Sequence, residues 1–124
     1  MQSPCILLGE VVKGTSTGRL LGFPTINVPC ASDALGFGVY ACLVTTPLGV
    51  FKGALHFGPR RVLGIDEPQL EVHLLDFSGD LYGVEVKIEI FKKLRDTMDF
   101  VDLEVLKKQM GVDVEEVKRL TINN

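Results

Sequence analysis

Tryptophan is absent from this chain of 124 residues, and tyrosine occurs only twice. Proteins that bind single-stranded nucleic acid stack bases on aromatic side chains along a basic groove. With a formal net charge of −3 as well, the composition argues against that class, and no nucleic-acid partner is expected. Cysteine is also scarce. Cys5, Cys30 and Cys42 are odd in number and lack paired ligand spacing, which excludes a disulfide framework or a zinc knuckle and reads as reduced thiols. No run approaches the roughly 18 apolar residues of a membrane span, and the N-terminus has no charged region ahead of an apolar signal core. The expectation is a cytoplasmic protein with no membrane partner. Repeats, low-complexity tracts and linkers are missing too, so residues 1–124 are expected to form a single domain. Its hydrophobic fraction of 46% with 23% charged residues suits a soluble globular core.

What is present is mostly β. Ile6 to Lys13 is apolar and β-branched and ends at Gly14, predicting a first strand. The loop Gly14 to Gly22 combines glycines with Thr15, Ser16 and Thr17, turn chemistry that leaves room for a ligand against the backbone. Phe23 to Val28 is a short extended segment whose Pro24 argues for an edge or strand-start position, and Pro29 to Phe37 is expected to be a loop. Gly38 to Thr45 and Val50 to Phe57 predict a hairpin around Thr46-Pro47-Leu48-Gly49. Gly58 to Pro68, broken by Pro59, Gly64 and Pro68, reads as a long loop carrying the basic pair Arg60-Arg61. Gln69 to Phe77 and Val84 to Phe91 predict a second hairpin around Ser78-Gly79-Asp80. In the latter strand Val84, Val86, Ile88 and Ile90 alternate with Glu85, Lys87 and Glu89, giving one buried and one solvated face.

The period then changes. Phe100, Leu103, Leu106 and Met110 recur at helical spacing behind Asp102 as N-cap, and Asp113-Val114-Glu115-Glu116 has capping-box spacing ahead of Val117 and Leu120. About six strands followed by one or two helices predict an antiparallel barrel covered on one side by helix, closure removing the strand edges.

Chemistry is concentrated in a few places. Thr25 and Asn27, at i and i+2 in Gly22-Phe23-Pro24-Thr25-Ile26-Asn27, leave the same face of an extended chain. Two neutral oxygens suit magnesium when a nucleotide supplies further ligands; solvation of a strand end is the competing reading. The loop Gly14 to Arg19 is not a Walker A motif, but its amides with Lys13 or Arg19 would form an anion-binding concavity. Glu71 and His73 share one strand face opposite Leu70, Val72 and Leu74. A carboxylate held there would serve as a base, or else belong to a solvated face. Arg95 would bind a phosphate or a polar ring edge, Phe100 would stack or pack, and Asp76 and Asp80 solvate a turn.

Taken in order, Gly9-Glu10-Val11-Val12-Lys13-Gly14, Gly18-Arg19, Gly22 to Asn27, Gly38-Val39-Tyr40, Glu71 to Phe77, Asp80-Leu81-Tyr82-Gly83, Leu94-Arg95 and Phe100 resemble the riboflavin kinase family. The resemblance covers nearly the whole chain. It implies a mainly β fold, a six-stranded antiparallel Greek-key barrel with a C-terminal helix, and ATP-dependent phosphorylation of the riboflavin 5′-hydroxyl to give FMN and ADP. It places Mg2+ and ATP at Thr25 and Asn27, phosphate at Gly14 and Arg19, and adenine at Leu74, Asp76 and Tyr82. Glu71 becomes the base, and Arg95, Met98 and Phe100 meet the flavin. Family members often carry an FAD synthetase (nucleotidyltransferase) module, whose motif is not found in these residues, so FMN without FAD is expected unless a separate partner supplies it. Two positions depart from the family pattern. Gly58-Pro59-Arg60-Arg61-Val62 replaces a more usual Pro-Thr, and Met98 stands where a polar residue is common. The first motivates an alternative, a flavin- or nucleotide-binding module impaired in catalysis.

Overall fold

The computed structural model describes residues 5–13, 21–29 and 35–120. Among these residues six strands, β1 (Cys5–Glu10), β2 (Thr25–Asn27), β3 (Gly38–Thr46), β4 (Gly49–Arg60), β5 (Ile65–Leu74) and β6 (Glu85–Arg95), precede one α-helix, α1 (Leu103–Arg119). They form one antiparallel sheet in the order β1-β6-β3-β4-β5-β2. The two ends of that order meet where the Val12 N–H donates to the Asn27 carbonyl at 2.8 Å. This is the expected barrel with its terminal helix.

Alternation decides what each strand buries. Tyr40, Cys42 and Val44 of β3, Val72 and Leu74 of β5, and Val86, Ile88 and Ile90 of β6 fill the interior. Burial pushes the Cys42 thiol well above its ordinary range. The opposite face of β3 and β4 is covered as well, because Ala41 and Ala54 are cross-strand partners. Two side chains of that size let α1 lie close against the sheet, where Leu75, Val114 and Val117 pack with them. The β3–β4 turn is tight for local reasons. Thr46 Oγ1 donates to the Gly49 carbonyl and accepts from the Leu48 N–H, both at 3.0 Å, while Gly49 supplies φ 135°.

Three expectations are corrected. Gly58 to Pro68 is not a long loop: β4 runs to Arg60, a single 3-10 turn spans Arg61–Leu63, and β5 starts at Ile65. The prolines misled because Pro59 and Pro68 fall where the β4–β5 register shifts between Gly58 and Arg60, and a bulge needs no ladder N–H from them. The second hairpin does not exist, since β5 pairs with β4 and β2 while β6 pairs with β3 and β1. Alternation and a Gly-containing turn mark strands but do not say which partner each takes. Finally, Asp113 caps no second helix. One helix runs from Asp102, whose carboxylate accepts the Val105 N–H at 3.0 Å, through to Arg119, and Asp113 lies buried on its inner face.

Candidate active site

The site grows from the β2–β5 pairing. Thr25 stands opposite His73 and Asn27 opposite Glu71, so the two neutral side chains from β2 share a face with the carboxylate and imidazole from β5. That face is not solvated at Glu71, which is only 8% exposed. Thr25, Glu71 and His73 line a small cavity together with Met110, Asp113 and Val114 of α1. The helix therefore converts what the sequence leaves open as a wet strand face into a buried one.

A buried carboxylate requires compensation. Glu71 receives it on one oxygen, Oε1, from Arg60 Nε at 2.8 Å and Arg60 Nη2 at 2.7 Å. Among the described residues its other oxygen has a single long contact, with Thr25 Oγ1 at 3.5 Å. His56, directly across from Glu71 on β4, places Nδ1 4.0 Å from Oε1, and that buried nitrogen has no hydrogen-bond partner among the described residues. His73 is differently employed. Its Nδ1 lies 2.8 Å from the Pro24 carbonyl, an acceptor only, so the nitrogen carries the proton. The ring meets Phe23 edge-on at 5.5 Å, fixing the chain just ahead of Thr25.

Burial, and then the charges of Arg60 and Arg95, push His56 from its ordinary 6.5 down to about 3. The folded state thus holds His56 neutral at pH values where the unfolded chain would protonate it. Stability contributed this way is complete above pH 6.5 and is lost as pH falls toward 3. Unfolding free energies from urea titrations are expected to drop between pH 6.5 and 4, by up to about 1.4 kcal/mol per pH unit from this group. His56→Gln should flatten that slope, measured by denaturation at stepped pH.

Two clefts flank the β2 residues. One of about 340 Å³ is lined by Lys13, Thr25, Asn27, Asp80 and Tyr82 among others, and a second of about 180 Å³ by Thr25, Leu74 and Phe77. A third, of about 250 Å³, lies between Lys13, Asn27, Phe57 and Gln69. Thr25, Asn27, Glu71, Leu74 and Tyr82 are thus neighbours. Asp76 is exposed in a turn with φ 58°, and Asp80 accepts the Tyr82 N–H at 2.8 Å. Arg95 grips Asp113 through two bonds of 2.9 and 2.8 Å and donates Nη1 to the Asp96 carbonyl at 3.0 Å. Met98 and Phe100 sit in the irregular stretch between β6 and α1, Met98 half exposed. Gly14 and Arg19 lie outside the described residues. Sequence reasoning missed Arg60 and His56 as site residues. Their only signal was the Arg60-Arg61 pair, placed in a supposed loop that hid the β4–β5 register.

A barrel with an arginine-held carboxylate, a hydroxyl and a carboxamide set between clefts is the framework of the candidate site. The chain matches the riboflavin kinase family model over residues 1–121 and belongs to that family. It is 39% identical over 110 residues to the "RNA-binding riboflavin kinase RibR" of Bacillus subtilis, covering 88% of this chain and 48% of that protein. With a "bifunctional riboflavin kinase/FMN adenylyltransferase" of Haemophilus influenzae the identity is 37% over 117 residues, 93% of this chain and 38% of the relative. The chain therefore spans less than half of either relative. Among solved structures, one described as a macrolide-efflux protein from Streptococcus pneumoniae superposes with a TM-score of 0.82 at 27% identity, covering 95% of this chain and 40% of that one. Riboflavin kinase from Trypanosoma brucei superposes with a TM-score of 0.62 at 23% identity over 94% of this chain and 76% of that one, which speaks to the fold.

Proposed function

We propose that this domain transfers the γ-phosphoryl group of ATP to the 5′-hydroxyl of riboflavin, with Glu71 as the base. The observation that carries the reading is the cross-strand pair Asn27–Glu71 beside Thr25, which sets a buried carboxylate next to two neutral oxygen ligands. Membership of the riboflavin kinase family supports it.

In this reading Glu71 accepts the hydroxyl proton as the riboflavin oxygen bonds to the γ-phosphorus and the bond to the ADP oxygen breaks. Thr25 and Asn27 offer side-chain oxygens on one face, a donor set that fits Mg2+, which prefers hard oxygen ligands and takes most of the rest from phosphates and water. When bound, the ion would neutralise charge on the transferring phosphates. Thr25, Asn27, Leu74 and Tyr82 border the nucleotide clefts, and Asp76, Gly14 and Arg19 keep the nucleotide roles that the family resemblance implies. Arg95, Met98 and Phe100 form the flavin side, where Asp113 holds the Arg95 guanidinium in place rather than leaving it free.

No helix among the described residues is long and apolar enough to cross a membrane, and Cys5 and Cys42 are free thiols. Both accord with work in the cytoplasm on soluble ATP and riboflavin. The domain as given should yield FMN, and FAD formation is assigned to an adenylyltransferase partner or module such as those named in the bifunctional relatives. The test is direct. Riboflavin, ATP and magnesium with the purified domain should give FMN resolved by chromatography, and flavin binding with no magnesium-dependent FMN would overturn the proposal.

A further inference from the structure

Glu71 does not meet its surroundings symmetrically. Two of the three Arg60 guanidinium nitrogens, Nε and Nη2, converge on Oε1 at 2.8 and 2.7 Å, and His56 Nδ1 lies 4.0 Å from the same oxygen. Oε2 faces Thr25 Oγ1 at 3.5 Å, too long to occupy its lone pairs fully. Arg60 is itself only 9% exposed and His56 only 7%, so neither is a surface group that happens to lie near. Arg60 ends β4 directly after the β4–β5 register shift between Gly58 and Arg60.

We propose that Arg60 is a positioning residue for the transfer reaction, holding Glu71 by Oε1 so that Oε2 is the atom presented to the substrate hydroxyl. The proposal rests on Glu71 being the base. Two donors of one planar guanidinium converging on Oε1 hold that oxygen in the guanidinium plane, a tighter restraint than a single point charge gives, and leave Oε2 free of Arg60. His56 stands beside the same oxygen, its buried Nδ1 4.0 Å from Oε1, too far for a hydrogen bond. A base must lie within hydrogen-bond reach of the proton it takes, and small losses of alignment are costly. The segment that departs from the usual Pro-Thr pattern is therefore the one that supplies the orientation of the base.

The experiment is a double-mutant cycle on FMN formation with the full chain, combining Arg60→Ala and Glu71→Gln. Arg60→Ala is expected to lower kcat by about 10²-fold, a misplacement-sized loss, with KM for ATP and riboflavin within about threefold. Guanidinium ion at tens of millimolar should restore at least about tenfold. In the Glu71→Gln background, Arg60→Ala should cost nothing further. Arg60→Lys retains the charge but not the fork, and should lose about tenfold in kcat with the same disappearance in the Glu71→Gln background. It carries the test if the alanine variant does not fold. An undiminished kcat in either Arg60 variant, or losses that multiply with that of Glu71→Gln, would overturn the proposal. Should Glu71→Gln itself turn over normally, the reading of Glu71 as base fails first, and the cycle separates the two failures.

Discussion

Glu71→Gln is expected to bind ATP and riboflavin at near wild-type affinity while forming FMN at least about 10²-fold more slowly, the usual worth of a general base. The amide keeps the shape of the carboxylate and an oxygen for Arg60, so the cavity beneath α1 stays filled. What disappears is the acceptor for the hydroxyl proton. The substitution also removes the anion that compensates Arg60, a side chain 9% exposed, and some loss of stability is expected alongside the kinetic loss. Steady-state kinetics and thermal denaturation on the same preparation separate the two. A variant that unfolds normally and turns over at the wild-type rate would remove Glu71 from the mechanism.

The second large effect concerns the helix. Asp113→Ala is expected to destabilise the domain by about 3 kcal/mol, the scale for removing one partner of a buried ion pair, and to lower Tm by about 10 °C. Arg95 and Asp113 are joined by two short bonds, their side chains 16% and 9% exposed, and Gln109 Nε2 adds a third bond to Asp113 at 3.1 Å. Removing the carboxylate leaves the guanidinium with the Asp96 carbonyl as its remaining described partner. The comparison that isolates this cause is the double replacement Arg95→Met with Asp113→Leu. A buried pair exchanged whole for apolar groups is close to neutral, whereas half a pair is not. If the double variant is as unstable as the single one, the cost lies in packing and not in the stranded charge.

The same pair explains why the surroundings of Arg95 were only partly legible in the sequence. Arg95 ends a strand and Asp113 lies near the middle of a helix, and the spacing of Asp113 to Glu116 imitates a capping box. A capping box is a local pattern. The use actually made of Asp113 depends on a guanidinium 18 positions away in the chain, which no local window contains. The β5–β6 region misled in the same manner. Alternating residues on either side of Ser78-Gly79-Asp80 meet every local criterion for a hairpin, yet each strand finds its partners elsewhere in the sheet.

Two things were determined by the sequence alone. Its period of two, changing to a helical period after Phe100, specifies strands followed by a helix, because side-chain direction follows from backbone geometry over a few residues. For the same reason Thr25 and Asn27 had to share a face, as did Glu71 and His73. Only the tertiary structure decided that these two faces are one face, with Asn27 set opposite Glu71, and that His56 and Arg60 arrive there from β4. Strand register is a choice among distant partners, made by burying whole faces at once and by a bulge that absorbs Pro59. It is also α1, packed over Ala41 and Ala54, that takes the carboxylate out of water, where it pairs with Arg60.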